Sequence, residues 1–239
     1  MAYNYLDLVN EINRRLNEVE LTSVNFLTAR GFYHTAKDAV NSAIRHINHE
    51  EFNWPWNHRE EEEVLSAGVM RYPYPEDAKM IDEHSFRIKR NDTLNVETKK
   101  LLSLDYQEYL DRYIDHEYNT NTGIRGVPMY VVRSPSQEFI FYPCPDKAYE
   151  IVYEYYQNPI ILERPSDVPT VPQEFRHVII DGAMYYAYQF RGDTQNSQLS
   201  QNKFKEGIKY MRSIYINRYE YIRSTVINRG SGGINPRVF

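Results

Sequence analysis

Apolar residues recur at helical spacing from the N-terminus onward. Leu6, Val9, Ile12 and Leu16 fall on one side of a helix over residues 4–18, with Asn4 placed to cap it. LTSVNFLTARGF reads as a turn-like stretch. Ala36, Ala39, Val40, Ala43, Ile44 and Ile47 then mark a second helix over about 34–51, with Thr35 as its cap. FNWPWN stops that helix, because Pro55 lacks an amide donor and its ring collides with the preceding turn. Trp54 and Trp56 are large anchors at this point, suited to cover the seam between a helical part and a sheet or to meet another subunit.

From His58 to about Pro159 the period changes to two and prolines punctuate short runs. REEEEVLSAG has the character of an edge strand whose acids discourage wrong pairing. A turn at Pro73 to Asp77 precedes a strand around Met80–Lys89. LSLDYQEYLDRYI, near 102–114, predicts one short helix capped by Asp105 or Ser103, and NTNTGIRG is a glycine-bearing loop. PMYVVRS, QEFIFYP and KAYEIVYEYYQ read as three successive antiparallel strands, the first two joined by the hairpin chemistry of SPSQ. In the third, Tyr149, Ile151, Tyr153 and Tyr155 share one face, and Tyr153 and Tyr155 are candidates for an interface.

ERPSDVPTVPQ, residues 163–173, is a proline-rich return to helix, with Pro172 suited to a first turn. Phe175, Val178, Ile179, Ala183, Tyr186 and Ala187 line one side of a helix over 174–190. Gly192 suits its C-terminus, and Asp193 or Thr194 the next N-cap. A last helix runs over about 194–227, with Phe204, Ile208, Met211 and Tyr215 as its stripe. NRGSGGINPRVF has glycines and a proline and no amphipathic period, so it reads as an extended arm. The predicted fold is therefore α+β: a helical bundle formed by both termini (1–55 and 163–228), an inserted antiparallel β-rich domain (56–162), and a flexible C-terminal arm (229–239).

Composition changes this picture in two places. The chain has 239 residues, 41% of them hydrophobic and 26% charged, enough for one large domain or two small ones. It has 22 Tyr, a residue that suits interfaces and equally a half-buried sheet. Charge is uneven: residues 195–239 carry eight basic and two acidic side chains, net +6, while the whole chain is −5. A basic tail on an acidic body suggests that the two ends face different partners, or opposite-sign surfaces of neighbouring copies. The single Cys144 excludes an intrachain disulfide framework and a cysteine metal site. The N-terminus is not a signal peptide, and no apolar run spans a membrane. A reducing cytoplasm fits as the place of synthesis.

Candidate chemistry is sparse. The phosphate-binding glycine loops and the HExxH, GxSxG and CxxC motifs do not occur. His46 and His49, followed by Glu50, have metal-ligand spacing on a helix but no third ligand in view, so a solvated polar face is the better reading. Asp105, Glu108, Asp111 and Asp115 with Arg112 match acid/base carboxylates and, more simply, a helical solvent face with ion pairs. Arg191-Gly192-Asp193 spells an adhesion tripeptide but sits in a helix–helix break. The expectation is a non-enzymatic protein with no catalytic residue, metal or cofactor.

The segment VPQEFRHVIIDGAMYYAYQFRGDTQNSQLSQNKFKEGIKYM resembles the C-terminal helical hairpin of phage head-to-tail adaptor (connector) proteins, the group that includes tail tubular protein A of short-tailed phages. The likeness rests on Pro172, Glu174 and Phe175, then Ala183, Tyr185, Tyr186 and Tyr188, the break at Gly192 and Asp193, and Phe204 and Met211. AVNSAIRHINHEEFNWPW and the YPYPED turn are similar to the group's N-terminal half, while the central β region has no residue-by-residue match.

The resemblance implies a virion structural protein of the tail or neck, forming a homo-oligomeric ring of twelve copies between the portal protein and the downstream nozzle or tube protein. DNA would pass through its channel without specific binding. The helical domain would pack copy to copy, and the C-terminal helix and arm would grip the portal. Arg223, Arg229, Ile234, Pro236, Arg237 and Phe239 are the expected portal contacts, with Phe239 as apolar anchor and the arginines pairing with portal acids. The rivals are a tail-completion or neck protein of another phage type, and a nucleic-acid-binding protein using the basic C-terminal helix.

Overall fold

A computed structural model describes residues 3–51, 53–92, 95–118 and 124–216. In chain order the elements are α1 (Tyr5–Arg15), α2 (Phe32–Glu50), β1 (His58–Leu65), β2 (Arg71–Pro73), β3 (Ala78–Ile81), β4 (Arg87–Asp92), β5 (Asn95–Lys100) and β6 (Leu102–Leu104). They continue with α3 (Tyr106–Arg112), α4 (Ile114–Tyr118), β7 (Arg125–Gly126), β8 (Tyr130–Ser134), β9 (Glu138–Tyr142), β10 (Cys144–Pro145), β11 (Tyr149–Gln157), α5 (Arg176–Arg191) and α6 (Thr194–Tyr215). The fold is α+β. It divides into two compact units, one of residues Met1–Trp56 with Ile160–Phe239, the other of Asn57–Pro159.

In the first unit α1, α2, α5 and α6 share one core that includes Leu8, Val9, Ile12, Ala43, Ile47, Trp54, Val178, Ile179, Phe204, Ile208 and Met211. The Asn4 side chain accepts the Asp7 amide at 2.8 Å and opens α1, satisfying one of the donors a helix start leaves over. α2 opens at Phe32, two residues earlier than expected, behind the N-cap Gly31 (φ 65°), which offers no side-chain cap, so Thr35 lies inside the helix. α5 is the middle helix, packed by α1, α2 and α6. Its buried set, Val178, Ile179, Ile180, Gly182, Ala183, Met184 and Ala187, wraps more than one face for that reason. Gly192 closes α5 at φ 74°, and Asp193 accepts the Asn196 amide to open α6. α6 runs to Tyr215, with Ile216 at φ −102° and ψ 120°, and the part of the expected helix over 217–227 lies outside the described residues.

The second unit is layered sheet, sheet, helix. One sheet runs β1-β11-β4-β5, with β3 also on β11; the other runs β2-β9-β8-β6; β7 and β10 form a small parallel pair. Between the sheets lies an aromatic core in which Phe86 stacks on Tyr153 at 4.7 Å and meets Phe139 edge-on at 4.9 Å. α3 and α4 cover the far face of the second sheet through Tyr109, Leu110, Tyr113 and Ile114 against Val132, Ile140 and Tyr142. Both faces of β9 are therefore covered, which explains its run of apolar residues rather than an alternation. β11 alternates cleanly because only one of its faces meets the core.

Four expectations are corrected here. The strand expected over 80–89 is two strands, β3 and β4, because Asp82 builds a turn between them. Its Oδ1 accepts the His84 amide, and its carbonyl accepts the Ser85 amide and hydroxyl. The helix expected over 102–114 gives up its first residues to β6; Asp105 caps α3 and Ser103 lies in the strand. β11 follows β9 in sequence but pairs with β1, β3 and β4 in the other sheet, so the three strands are not one meander. The strands are not all antiparallel: β6 runs parallel to β8 in the second sheet, reached through the α3–α4 connection, and β7 runs parallel to β10.

Candidate docking surfaces

The end of α6 is tied to α2 and to the segment before α5. Arg212 Nη2 meets Glu50 Oε2 at 3.1 Å, and its Nε meets Glu51 Oε2 at 3.2 Å, tying α6 to the end of α2. The Glu50 carbonyl accepts from the same guanidinium. One turn on, the Tyr215 hydroxyl donates to Glu174 Oε1 at 2.6 Å, a bond that raises the phenol's pKa. The Tyr215 ring sits edge-on to Trp56 at 5.6 Å and to Phe175 at 5.7 Å, and Trp56 stacks on Trp54 at 4.7 Å. Along α6, Lys203, Lys205 and Lys209 are exposed, and Tyr210 and Ile214 are large exposed apolar side chains near the same end.

The expected interface residues separate sharply. Trp54 is fully buried and its Nε1 donates to the Ile47 carbonyl at 2.9 Å, closing the C-terminus of α2. Tyr153 and Tyr155 are buried in the β unit, and the Tyr155 hydroxyl donates to Asp77 at 3.1 Å. Burial raises both phenols, that of Tyr155 to about 12. These three rings are engaged in internal packing. Trp56 keeps a partly exposed ring, and its buried Nε1 has no acceptor among the described residues. Arg223, Arg229, Ile234, Pro236, Arg237 and Phe239 lie outside the described residues.

The remaining candidates resolve into structure. His46 Nδ1 lies 3.1 Å from the Tyr186 hydroxyl and its Nε2 lies 3.5 Å from Glu50, beside a surface cleft of about 380 Å³ that His49 also lines. Among the described residues no three His, Cys, Asp or Glu side chains are placed to hold a metal ion, and no helix is long and apolar enough to cross a membrane. On α3 and α4 Arg112 pairs with Glu108 at 2.8 Å, and Asp105 is a cap, as the ion-paired solvent face requires. In the Arg-Gly-Asp tripeptide Arg191 pairs with Glu18 and covers the Phe32 ring at 4.5 Å, while Asp193 caps α6.

One cluster has no signal in the sequence. Arg71 on β2 holds Glu117 on α4 through Nε (2.6 Å) and Nη2 (3.0 Å), and reaches Glu138 at 3.3 Å. Tyr109 donates to the same Glu117 at 2.8 Å. The Arg71 hydrogen bonds hold the Glu117 carboxyl below the usual range, and burial followed by Glu117 raises Tyr109. Its members lie 46 and 8 residues apart along the chain, and no short-range pattern joins them.

The chain thus folds as two compact units, one helical and one of layered sheets, with a basic helix and charged strands among its surface elements. The sequence matches the SU10 adaptor protein family over residues 3–229, and the chain belongs to that family. No curated protein matches it.

Proposed function

We propose that this protein is a virion structural component that joins the portal to the tail as a head-to-tail adaptor. Membership of the adaptor family supports the structural role and carries this reading. Copies assemble as a ring of twelve between the portal protein and the next tail protein, leaving a channel through which DNA passes without specific binding. The segment after α6 docks on the portal, with Arg223, Arg229 and Arg237 facing portal acids and Ile234, Pro236 and Phe239 supplying apolar contact. The supporting geometry is the clamp at Arg212 and Tyr215, which anchors the root of that segment and so lowers the entropy lost when its far end binds. The acidic remainder of the chain suits a lumen over which DNA slides without sticking.

The test is deletion of residues 229–239 followed by measurement of binding to a purified portal ring. The docking role predicts a large loss of affinity that deepens with salt. Unchanged affinity would remove the arm from the docking surface.

A further inference from the structure

The sheet β1-β11-β4-β5 ends in two open edges of opposite charge. Among the described residues β1 pairs with β11 alone and β5 with β4 alone, so each presents one side of its backbone without a strand partner. β1 reads HREEEEVL, four carboxylates against one arginine, whereas β5 reads NVETKK, two lysines against one glutamate, with Arg87 and Lys89 on the neighbouring β4. The register sorts these charges on the face turned away from the core. Glu60 and Glu62 stand beside Glu154 and Val152, Lys89 stands between Glu150 and Thr98, and Arg87 stands beside Lys100. Across four strands the face changes from acid to base, and an ion pair between Glu62 and Lys89 already spans its middle.

Strand direction points the same way. Every neighbour in this path is antiparallel, so β1 and β5 run in opposite directions. A second copy set beside the first with only a small rotation therefore brings its β1 antiparallel to the first copy's β5. A two-fold contact of β1 with β1 would set glutamate against glutamate, which is destabilising. The charges thus disfavour β1 self-pairing and favour the head-to-tail contact, which repeats from copy to copy and closes when the rotation completes a turn.

We propose that the β1 edge of one copy pairs with the β5 edge of the next, so that this sheet continues from subunit to subunit. The proposal rests on the ring reading and names the contact that builds it.

The experiment compares the mass of four samples by light scattering, from micromolar to millimolar protein at low and high salt. They are the full chain, Glu60→Lys/Glu61→Lys, Lys99→Glu/Lys100→Glu, and an equal mixture of the two variants. These positions avoid Glu62, which pairs with Lys89, and the half-buried Glu63. The full chain should associate, and salt should weaken it. Each variant alone should associate at least tenfold more weakly. The mixture should recover association, because each variant's reversed edge then meets an opposite charge on the other; recovery also shows that both variants are folded. Full association of either variant alone, or a mixture no better than its parts, overturns the edge contact while leaving the ring reading intact. A full chain that stays monomeric at millimolar concentration and low salt overturns it as well, and leaves portal docking to the deletion test.

Discussion

Gly182 in the middle of α5 lies directly beneath the Phe204 ring of α6: a Cβ at Gly182 would stand 2.6 Å from a ring carbon. The relation is mirrored one turn along, where a Cβ at Gly207 of α6 would stand 2.8 Å from Val178 of α5. The two helices come this close because each offers a glycine to the other's bulky side chain. Phe204 and Val178 are both buried and have no room to retreat.

Gly182→Ala should therefore destabilise the helical unit. Helix propensity alone would favour alanine by about 1 kcal/mol. Overpacking against a trapped ring costs about 1–3 kcal/mol and should prevail. Thermal unfolding followed by circular dichroism reads the sign directly; a raised midpoint would mean that α5 and α6 are spaced more loosely than this contact requires.

Two glutamates of the β unit should respond to pH in opposite senses. Glu117 is held below its unfolded pKa by Arg71, so its contribution is present above the unfolded value and lost as pH falls through the folded one. Glu117→Gln should cost about 1–3 kcal/mol at neutral pH, as for a charged hydrogen bond, and little in acid. Glu63 is raised, by burial first and then by Glu61, so its charged form opposes folding at neutral pH and this penalty disappears as pH falls through the folded pKa. Glu63→Gln should stabilise the unit at neutral pH and have no effect in acid. Urea unfolding of both variants at the two pH values checks the pair, and parallel behaviour would refute the assignment.

The two tryptophans should part company. Trp54→Ala removes a fully buried ring and should cost about 3–5 kcal/mol. Trp56→Ala trims a partly exposed ring and should cost roughly half as much or less. If Trp56 also meets a partner, its variant will lose portal or subunit binding beyond what its stability explains. Binding curves recorded well below the unfolding midpoint separate these effects.

Gly192 holds the left-handed turn between α5 and α6 at φ 74°. Gly192→Ala should cost about 1 kcal/mol, and Gly192→Asn less, since asparagine tolerates that region. Equal midpoints for all three proteins would show that the cap conformation carries no strain.

The helices were legible along the chain because their signals are local. The stripe from Ala36 to Ile47, the Asn4 and Asp193 caps and the Gly192 stop all act within one or two turns. The alternation of β11 was legible for the same reason, since one face meets the core and the other does not. The start of α2 was not: its stripe begins at Ala36, while the helix opens at Phe32 behind Gly31, which offers no side-chain cap. Family resemblance, too, was legible in the Pro172–Met211 pattern, and the family match bears it out.

Tertiary structure alone decided which strands pair. β9 and β11 are neighbours in sequence and carry the same aromatic character, yet they lie in different sheets joined through Phe139, Phe86 and Tyr153. It also decided that Trp54, Tyr153 and Tyr155 are core rather than surface, and that Arg71 meets Glu117. Local composition sets what a segment can become, because helix and strand periodicity are properties of a few consecutive residues. Which side chains face each other across the core depends on chain closure over tens of residues, and that information resides in the packing of the whole unit.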